Sequence, residues 1–280
     1  MKTKKIVLKA LLALTVSAFF FSGCRKDRDE LDSDTGSSVD NAFAEAVYDD
    51  AGIMADQAAL NGELDSYRSA GDESFLLSTC AIVTRDTVSS PRVLTIDFGT
   101  ANCLCRDGRY RRGRVVVTYT GNYRDIGTVR TIGFDNYFVS DYQVLGTKTV
   151  TNQGINNAGH TWFSINVNGS VIAPGGAVFT RTSSRIREWI AGENTPVWND
   201  DVYSITGSAS GVNFSGNSYT AIIIAPLVKA LNCRWIKSGI LEYTPSGKKN
   251  RTVNFNYSNG NCDRYAELTI GTNTYIIELR

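Results

Sequence analysis

Histidine is almost absent from this sequence, which has only His160 in 280 residues. A Ser-His-Asp hydrolase needs a histidine base beside its nucleophile. His160 follows the turn-forming run Asn156-Asn157-Ala158-Gly159, and the sequence has no nucleophile elbow. We therefore predict no catalytic residue, and we do not expect the chain to be an enzyme.

Metal and phosphate motifs are lacking as well. One residue separates Cys103 from Cys105, whereas zinc sites commonly use a two-residue spacing, and no second pair of ligands follows. The sequence has no glycine-rich loop of the kind that cradles phosphates. We predict no metal site and no cofactor.

An excess of charge of one sign is also lacking, because the formal net charge is only +1. Without a basic stripe the chain has little with which to replace the counterions of a nucleic acid, so we expect no nucleic-acid partner. Several arginines do gather beside a strand-like run, and we predict that they form a solvated strand edge or loop. They are Arg106, Arg109, Arg111, Arg112 and Arg114.

The first residues have the pattern of a secretory signal. Lysines precede an apolar run from Ala10 to Phe21, which is shorter than the roughly 20 residues that a membrane-spanning helix needs. The run ends in Phe21-Ser22-Gly23-Cys24, which resembles a lipobox, although Phe21 replaces the more usual leucine. We predict that residues 1–23 are a signal peptide and that Cys24 carries a lipid anchor, so that the membrane is one partner.

The segment that follows the predicted lipid site is highly charged. Residues 24–38 have few apolar side chains, so we predict a flexible tether. Arg25 stands where an inner-membrane retention signal of the enterobacterial kind would have Asp. The acidic residues behind it resemble the export signal of surface lipoproteins in the Bacteroidota, whereas a plain spacer under a periplasmic protein is an equal alternative. The expected location is the outer membrane, on its periplasmic face or at the cell surface.

The remaining residues, 39–280, are predicted to form a single β-rich domain. Apolar residues at spacings of three and four predict one short helix over residues 40–60, packed on its own domain. From about residue 75 the period changes to two, as in the runs 92–98 and 219–224. Because no helices separate these runs, we predict a mainly β fold, an antiparallel meander or sandwich of repeated hairpins.

The β region also suggests an internal repeat of about four strands, used nearly three times. Gly113, Gly169 and Gly239 are each expected to open a strand, and each is followed by another glycine about 32 to 38 residues later. The alternative is that glycine recurs by chance, as it does in many β proteins. The second glycines are Gly146, Gly207 and Gly271.

Several segments resemble those of uncharacterised lipoproteins of the Bacteroidota outer membrane, and the resemblance extends over most of the mature length. It implies no activity, ligand or catalytic residue, so the fold is predicted from the strand pattern alone. The segments include Thr95–Gly99, Phe134–Tyr137, Gly146–Asn152, Arg187–Trp189 and Cys262-Asp263.

One cluster combines carboxylates with tryptophans. Glu188 and Trp189 are followed by Trp198, Asp200 and Asp201, a set that could stack on a sugar ring and bond to its hydroxyls. The alternative is a pair of buried tryptophans with solvated loop charges. We expect a non-catalytic extracytoplasmic module that binds a glycan, a lipid or an envelope protein, with this cluster as the candidate binding site.

The other function considered is a glycoside hydrolase-like enzyme that uses Glu188 with Asp200 or Asp201. Such an enzyme requires two carboxyl groups that face each other across a cleft, roughly 5 to 9.5 Å apart.

Disulfides are expected because an exported protein meets an oxidising compartment. Cys233 and Cys262 lie almost equally far from the turn at residues 243–248, which places them opposite each other across a hairpin. The turn at residues 89–92 places Cys80 opposite Cys103 in the same way. The predicted pairs are therefore Cys80–Cys103 and Cys233–Cys262, with Cys105 free or substituting for Cys103. Buried reduced thiols are the alternative.

Overall fold

The computed structural model describes residues 32–60, 80–195 and 197–280. Residues Asp34–Arg280 form one compact unit, which contains the helix and all the strands reported below. The predicted signal peptide, the lipid site Cys24 and most of the predicted tether lie outside the described residues.

The described residues of this unit form one helix followed by fourteen strands. The helix α1 spans Gly36–Leu60. The strands are β1 Ile82–Asp86, β2 Arg92–Asp97, β3 Cys103–Leu104, β4 Tyr110–Tyr119, β5 Val129–Val139, β6 Tyr142–Ile155, β7 Thr161–Ile172, β8 Val178–Ala191, β9 Val202–Val212, β10 Ser218–Ala230, β11 Ser238–Pro245, β12 Arg251–Asn254, β13 Tyr265–Ile270 and β14 Asn273–Glu278.

All the strands belong to a single antiparallel sheet. Each strand pairs with the next along the chain, except that β2 pairs with β4 while the short β3 pairs only with β4. The sheet is open, and its edge strands are β1 and β14. The predicted mainly β meander with one N-terminal helix is therefore confirmed.

The sheet curls around the helix, so that both ends of the sheet reach α1. Arg85 on β1 donates from Nη2 to the carbonyl oxygen of Ala58 at 2.6 Å. Arg280, which follows β14, forms an ion pair with Asp40 at 3.1 Å. Arg109, in the loop before β4, also donates to the carbonyl oxygen of Arg280. The helix is therefore enclosed by the sheet instead of lying on one side of it.

Helix α1 begins earlier than the sequence predicts. Its first turn is capped by Asp34, whose Oδ1 accepts a hydrogen bond from the backbone N of Ser37 at 3.3 Å. The helix also runs unbroken through Gly52. A Cβ at Gly52 would lie 3.1 Å from Nζ of Lys148, so this glycine leaves room for a lysine of the sheet.

The strands alternate as a curled sheet around a core requires. In β7 the side chains of Phe163, Ile165 and Val167 are buried, while the side chains of Asn166 and Asn168 point the other way and are exposed. The sheet therefore has an apolar and charged inner face toward α1 and an outer face toward solvent.

Two glycines of the predicted repeat make close contact between helix and sheet possible. Gly146 on β6 and Gly169 on β7 are direct partners, and the Tyr48 hydroxyl donates to the neighbouring carbonyl of Leu145 at 2.8 Å. A Cβ at Gly169 would lie 2.3 Å from the Tyr48 hydroxyl oxygen. Gly169 thus lies inside β7, near its end, and does not open a strand as predicted.

The cysteines form the two predicted disulfides, although Cys233 and Cys262 lie in loops and not on strands. Cα–Cα distances are 6.2 Å for Cys80–Cys103 and 5.6 Å for Cys233–Cys262. Cys105 is buried and is the free cysteine among the described residues. Cys233 and Cys262 lie in the loops that flank β11 and β12, so the bridge links two loops and not cross-strand positions of one hairpin.

Candidate functional site

The structure divides the predicted binding cluster between the two faces of the sheet. Glu188 and Trp189 are consecutive residues of β8, so their side chains point to opposite faces. Trp189 is buried on the inner side, where its indole Nε1 donates to Oδ1 of Asp201 at 3.2 Å. Asp201 is also buried, which contradicts its interpretation as a solvated loop charge.

Both predicted tryptophans belong to the core. Trp189 and Trp198 are 3% and 6% exposed, which leaves no ring face for a sugar to stack on. The Trp189 ring lies 5.5 Å from the ring of Tyr203, and the Arg124 guanidinium lies 5.3 Å from its centroid. The alternative of two buried tryptophans is therefore the correct one, and these rings are structural.

The remaining carboxylates are engaged locally. Glu188 accepts hydrogen bonds from the Asn156 amide at 2.7 Å and lies 2.8 Å from Nδ1 of His160. These bonds, that from Asn156 first, lower the pKa of Glu188. Asp200 is exposed and accepts a hydrogen bond from the Thr195 hydroxyl at 2.9 Å. Because Glu188 lies on the outer face of the sheet and Asp201 is buried on the inner side, this geometry does not support a hydrolase that uses Glu188 with Asp201.

A groove on the outer face of β6 to β10 is a better candidate for a binding site. Cross-strand partners place Thr147, Asn168, Thr182, Ser210 and Thr220 in one row across the five strands. A second row, two residues away along each strand, consists of Thr149, Asn166, Ser184, Ser208 and Ile222.

The two rows line a wide, open groove, and the space within it is roughly 1010 Å³, part of it open solvent. None of its lining residues carries a charge. Within a row neighbouring side chains are about 4.8 Å apart, and the rows are roughly 6.7 Å apart, as the geometry of a sheet requires. Hydroxyl and amide groups both donate and accept hydrogen bonds, so the groove can bond to a ligand that does the same.

Apolar side chains lie beside these polar rows. On the same face, Ile222 is the last member of the second row and Ile186 lies two residues beyond Ser184, and these side chains are 46% and 47% exposed. Trp162 is half-buried on this face and is the direct cross-strand partner of Glu188. The outer face therefore offers hydrogen-bonding groups together with apolar surface, and Glu188 lies beyond one end of the groove.

The groove residues were not predicted, although the sequence contains a signal for them. The period of two in Thr161–Ile172 places Trp162, Asn166 and Asn168 on one side of the strand. The predicted site consists of carboxylates and tryptophans, whereas the groove is lined mainly by small uncharged side chains. Only the strand register shows that they line up across β6 to β10.

The predicted solvated arginine cluster also needs correction. Arg109 and Arg111 are 5% and 0% exposed and lie in the core beside α1. Arg111 forms bonds of 2.7 Å with both oxygens of Asp107, and Arg109 forms an ion pair with Asp50. Arg106 and Arg114 are exposed, as predicted. Arg109 and Arg111, two residues apart, therefore point inward, where they form ion pairs with Asp50 and Asp107.

The described part of the chain has no group of three or more metal-binding side chains. In the same residues, no helix is long and apolar enough to cross a membrane. Comparisons of the chain with models of protein families, with curated proteins and with solved structures found no match.

Proposed function

We propose that this protein is a lipid-anchored, non-catalytic module of the cell envelope that binds an uncharged glycan in the outer groove of β6 to β10. The observation that carries the proposal is the absence of charged side chains among the residues that line the groove. Burying a charge without a partner is costly, so an uncharged groove favours an uncharged ligand.

The chemistry of the rows favours a sugar over other neutral ligands. Each sugar hydroxyl donates and accepts a hydrogen bond, and so do the Thr and Ser hydroxyls. The Asn166 and Asn168 amides on β7 add paired donors and acceptors to the groove. The isoleucines beside the rows can contact the apolar C–H faces of pyranose rings.

The groove can be tested by blocking it. Ser184→Lys and Ser210→Lys would place a charged, bulky side chain in each row, and we expect both to abolish binding of neutral glycans on an array. Thr252→Lys is the matched control, since Thr252 lies on an outer-facing position of β12 outside the groove. Unchanged binding by both groove variants, or binding of acidic glycans only, would contradict the proposal.

The anchor requires a separate test. Cells labelled with radioactive palmitate should show the label in the wild-type protein and not in Cys24→Ala, because the thiol of Cys24 is the proposed site of lipidation. Equal labelling of the two proteins would mean that the lipobox interpretation is wrong. Digestion of intact cells with protease would then distinguish the cell surface from the periplasmic face, since only a surface protein is accessible.

A further inference from the structure

A narrow pocket lies inside the molecule, between α1 and strands β7 to β10. It encloses roughly 600 Å³ of space between side chains, part of it open to solvent. Its polar lining includes Glu45 and Asp49 from the helix, Arg185 and Arg187 from β8, and Lys229 from β10. The pocket is thus separated from the outer groove by the sheet itself.

Positive charge exceeds negative charge around this pocket. Glu45 pairs with two arginines, Arg181 at 3.1 Å and Arg185 at 3.0 Å. Asp49 pairs with Lys148 at 2.7 Å. The cations around the pocket therefore outnumber the carboxylates that pair with them. A buried charge without a partner of opposite charge lowers the stability of the fold.

The same imbalance continues deeper along the helix. Asp56 is shared by Arg130 and by Arg187, whose Nη2 lies 3.5 Å from it. Lys229 directs its Nζ to the backbone carbonyl oxygens of Cys233, at 2.8 Å, and Arg234. Burial lowers the pKa of Lys229 to about 8, although the carboxylates of Asp50 and Asp49 act in the opposite direction.

Two guanidinium groups in the pocket have unused donors. Nη1 of Arg185 and Nε of Arg187 are buried and have no hydrogen-bond partner in the described structure. Their side chains are only 5% and 9% exposed. A buried donor without an acceptor costs free energy, so these atoms favour an acceptor in the pocket, and the excess of cations favours a negative one.

A second narrow pocket continues from the first and is lined mainly by apolar side chains. Glu45, Asp49, Ile205 and Lys229 line both pockets. The space in the second pocket is roughly 670 Å³, part of it open to solvent, and its apolar lining includes Leu227, Trp235, Leu241 and Phe255. The end with excess cations thus joins a mainly apolar end at Glu45, Asp49, Ile205 and Lys229.

We propose that the two pockets together bind a monocarboxylate with a short hydrocarbon chain. The carboxylate accepts hydrogen bonds from Arg185, Arg187 and Lys229, and the chain lies against Trp235 and Leu241. Charge-assisted hydrogen bonds supply the specificity for the anion, and burial of methylene groups supplies the rest of the affinity. This proposal does not depend on the glycan groove.

The probe is hexanoate, titrated into the full chain carrying Cys24→Ser, so that no acyl group of the protein competes. We expect a dissociation constant below about 1 mM by calorimetry, with a change in the fluorescence of Trp235 that is lost in Trp235→Phe. Hexanol, which lacks the charge, and inorganic phosphate, which lacks the chain, should each bind at least about tenfold more weakly.

Two variants remove different cations of the pocket, so that one remains informative if the other folds poorly. Arg185→Gln and Lys229→Met should each weaken hexanoate binding about tenfold or more, whereas the exposed Arg264→Gln should leave it unchanged. Equal binding by Arg185→Gln, Lys229→Met and the parent protein would overturn the proposal. So would phosphate that binds as tightly as hexanoate, or no binding of hexanoate at all.

Discussion

The two halves of the sheet meet the helix in different ways. The helix backbone approaches β2, β4, β5 and β6 most closely, and buried alanines such as Ala51 and Ala55 permit close packing. Along β7 to β10 a narrow pocket separates the helix from the sheet, and arginines and a lysine extend into it. The helix thus packs closely against β2 to β6, whereas a pocket lies between it and β7 to β10.

The balance between buried cations and carboxylates also differs between the two halves of the sheet. Beside β4, Asp50 and Asp107 balance Arg109 and Arg111, with each carboxylate bonded to a guanidinium. Beside β8, Glu45 alone serves Arg181 and Arg185. We infer that buried arginines stabilise the fold where carboxylates match them in number. Where arginines are in excess, they favour the binding of an anionic ligand.

The largest effect is expected in the balanced half. Arg111→Met would leave Asp107 and Asp50 buried without one of their cations, and we expect a loss of about 3 to 5 kcal/mol in the free energy of unfolding. Urea denaturation measures it. The exposed pair of Arg264 with Glu278 offers the control, because Arg264→Met should change stability little. Equal stability of Arg111→Met and wild type would remove the distinction between the halves.

The boundary between the halves lies at β6 and β7, where Tyr48 contacts Gly169. Gly169→Ala would place a Cβ 2.3 Å from the Tyr48 hydroxyl oxygen and 2.4 Å from the Leu145 carbonyl oxygen. We expect a cost of about 2 to 3 kcal/mol, measured by thermal unfolding, because backbone must shift. Gly175→Ala is the control, since a Cβ there meets nothing within 4 Å. Tolerance of both changes would show that the contact is looser than described.

Lys229, which lines the pocket beside β7 to β10, should make the free energy of unfolding depend on pH. Its pKa is about 8 in the folded protein, below the roughly 10.4 of an unfolded chain. Between these values the unfolded state binds more protons, so wild-type stability should rise with pH relative to Lys229→Met. We expect a gain of about 2 kcal/mol between roughly pH 8 and pH 9.5, from urea denaturation of both proteins. Parallel pH profiles would rule out a buried charge at Lys229.

The smallest effect is expected from an arginine of the unbalanced half. Arg185→Met removes a cation whose carboxylate, Glu45, keeps Arg181 as a partner. We expect the free energy of unfolding to fall by about 1 kcal/mol or less, since no unpaired charge is left behind. A loss as large as that of Arg111→Met would show that both halves depend equally on their ion pairs.

Local patterns in the sequence were sufficient for the elements of the fold. A period of two predicted the strands, and spacings of three and four predicted α1, because each pattern reflects which side chains face a core. The cysteine pairs also followed from the sequence, although Cys233 and Cys262 turned out to lie in loops. The opposite orientation of Glu188 and Trp189 could have been predicted in the same way, since neighbours on a strand point to opposite faces.

The curl of the sheet was decided only by tertiary structure. Arg109 and Arg111 were predicted to be solvated, yet the sheet encloses the helix and buries them against its acidic side chain Asp50. The groove depends likewise on the register of β6 to β10, which aligns Asn168 with Thr182 and Ser210. A sequence specifies which residues share a face of one strand, whereas alignment across strands and enclosure of a helix depend on residues far apart in the chain.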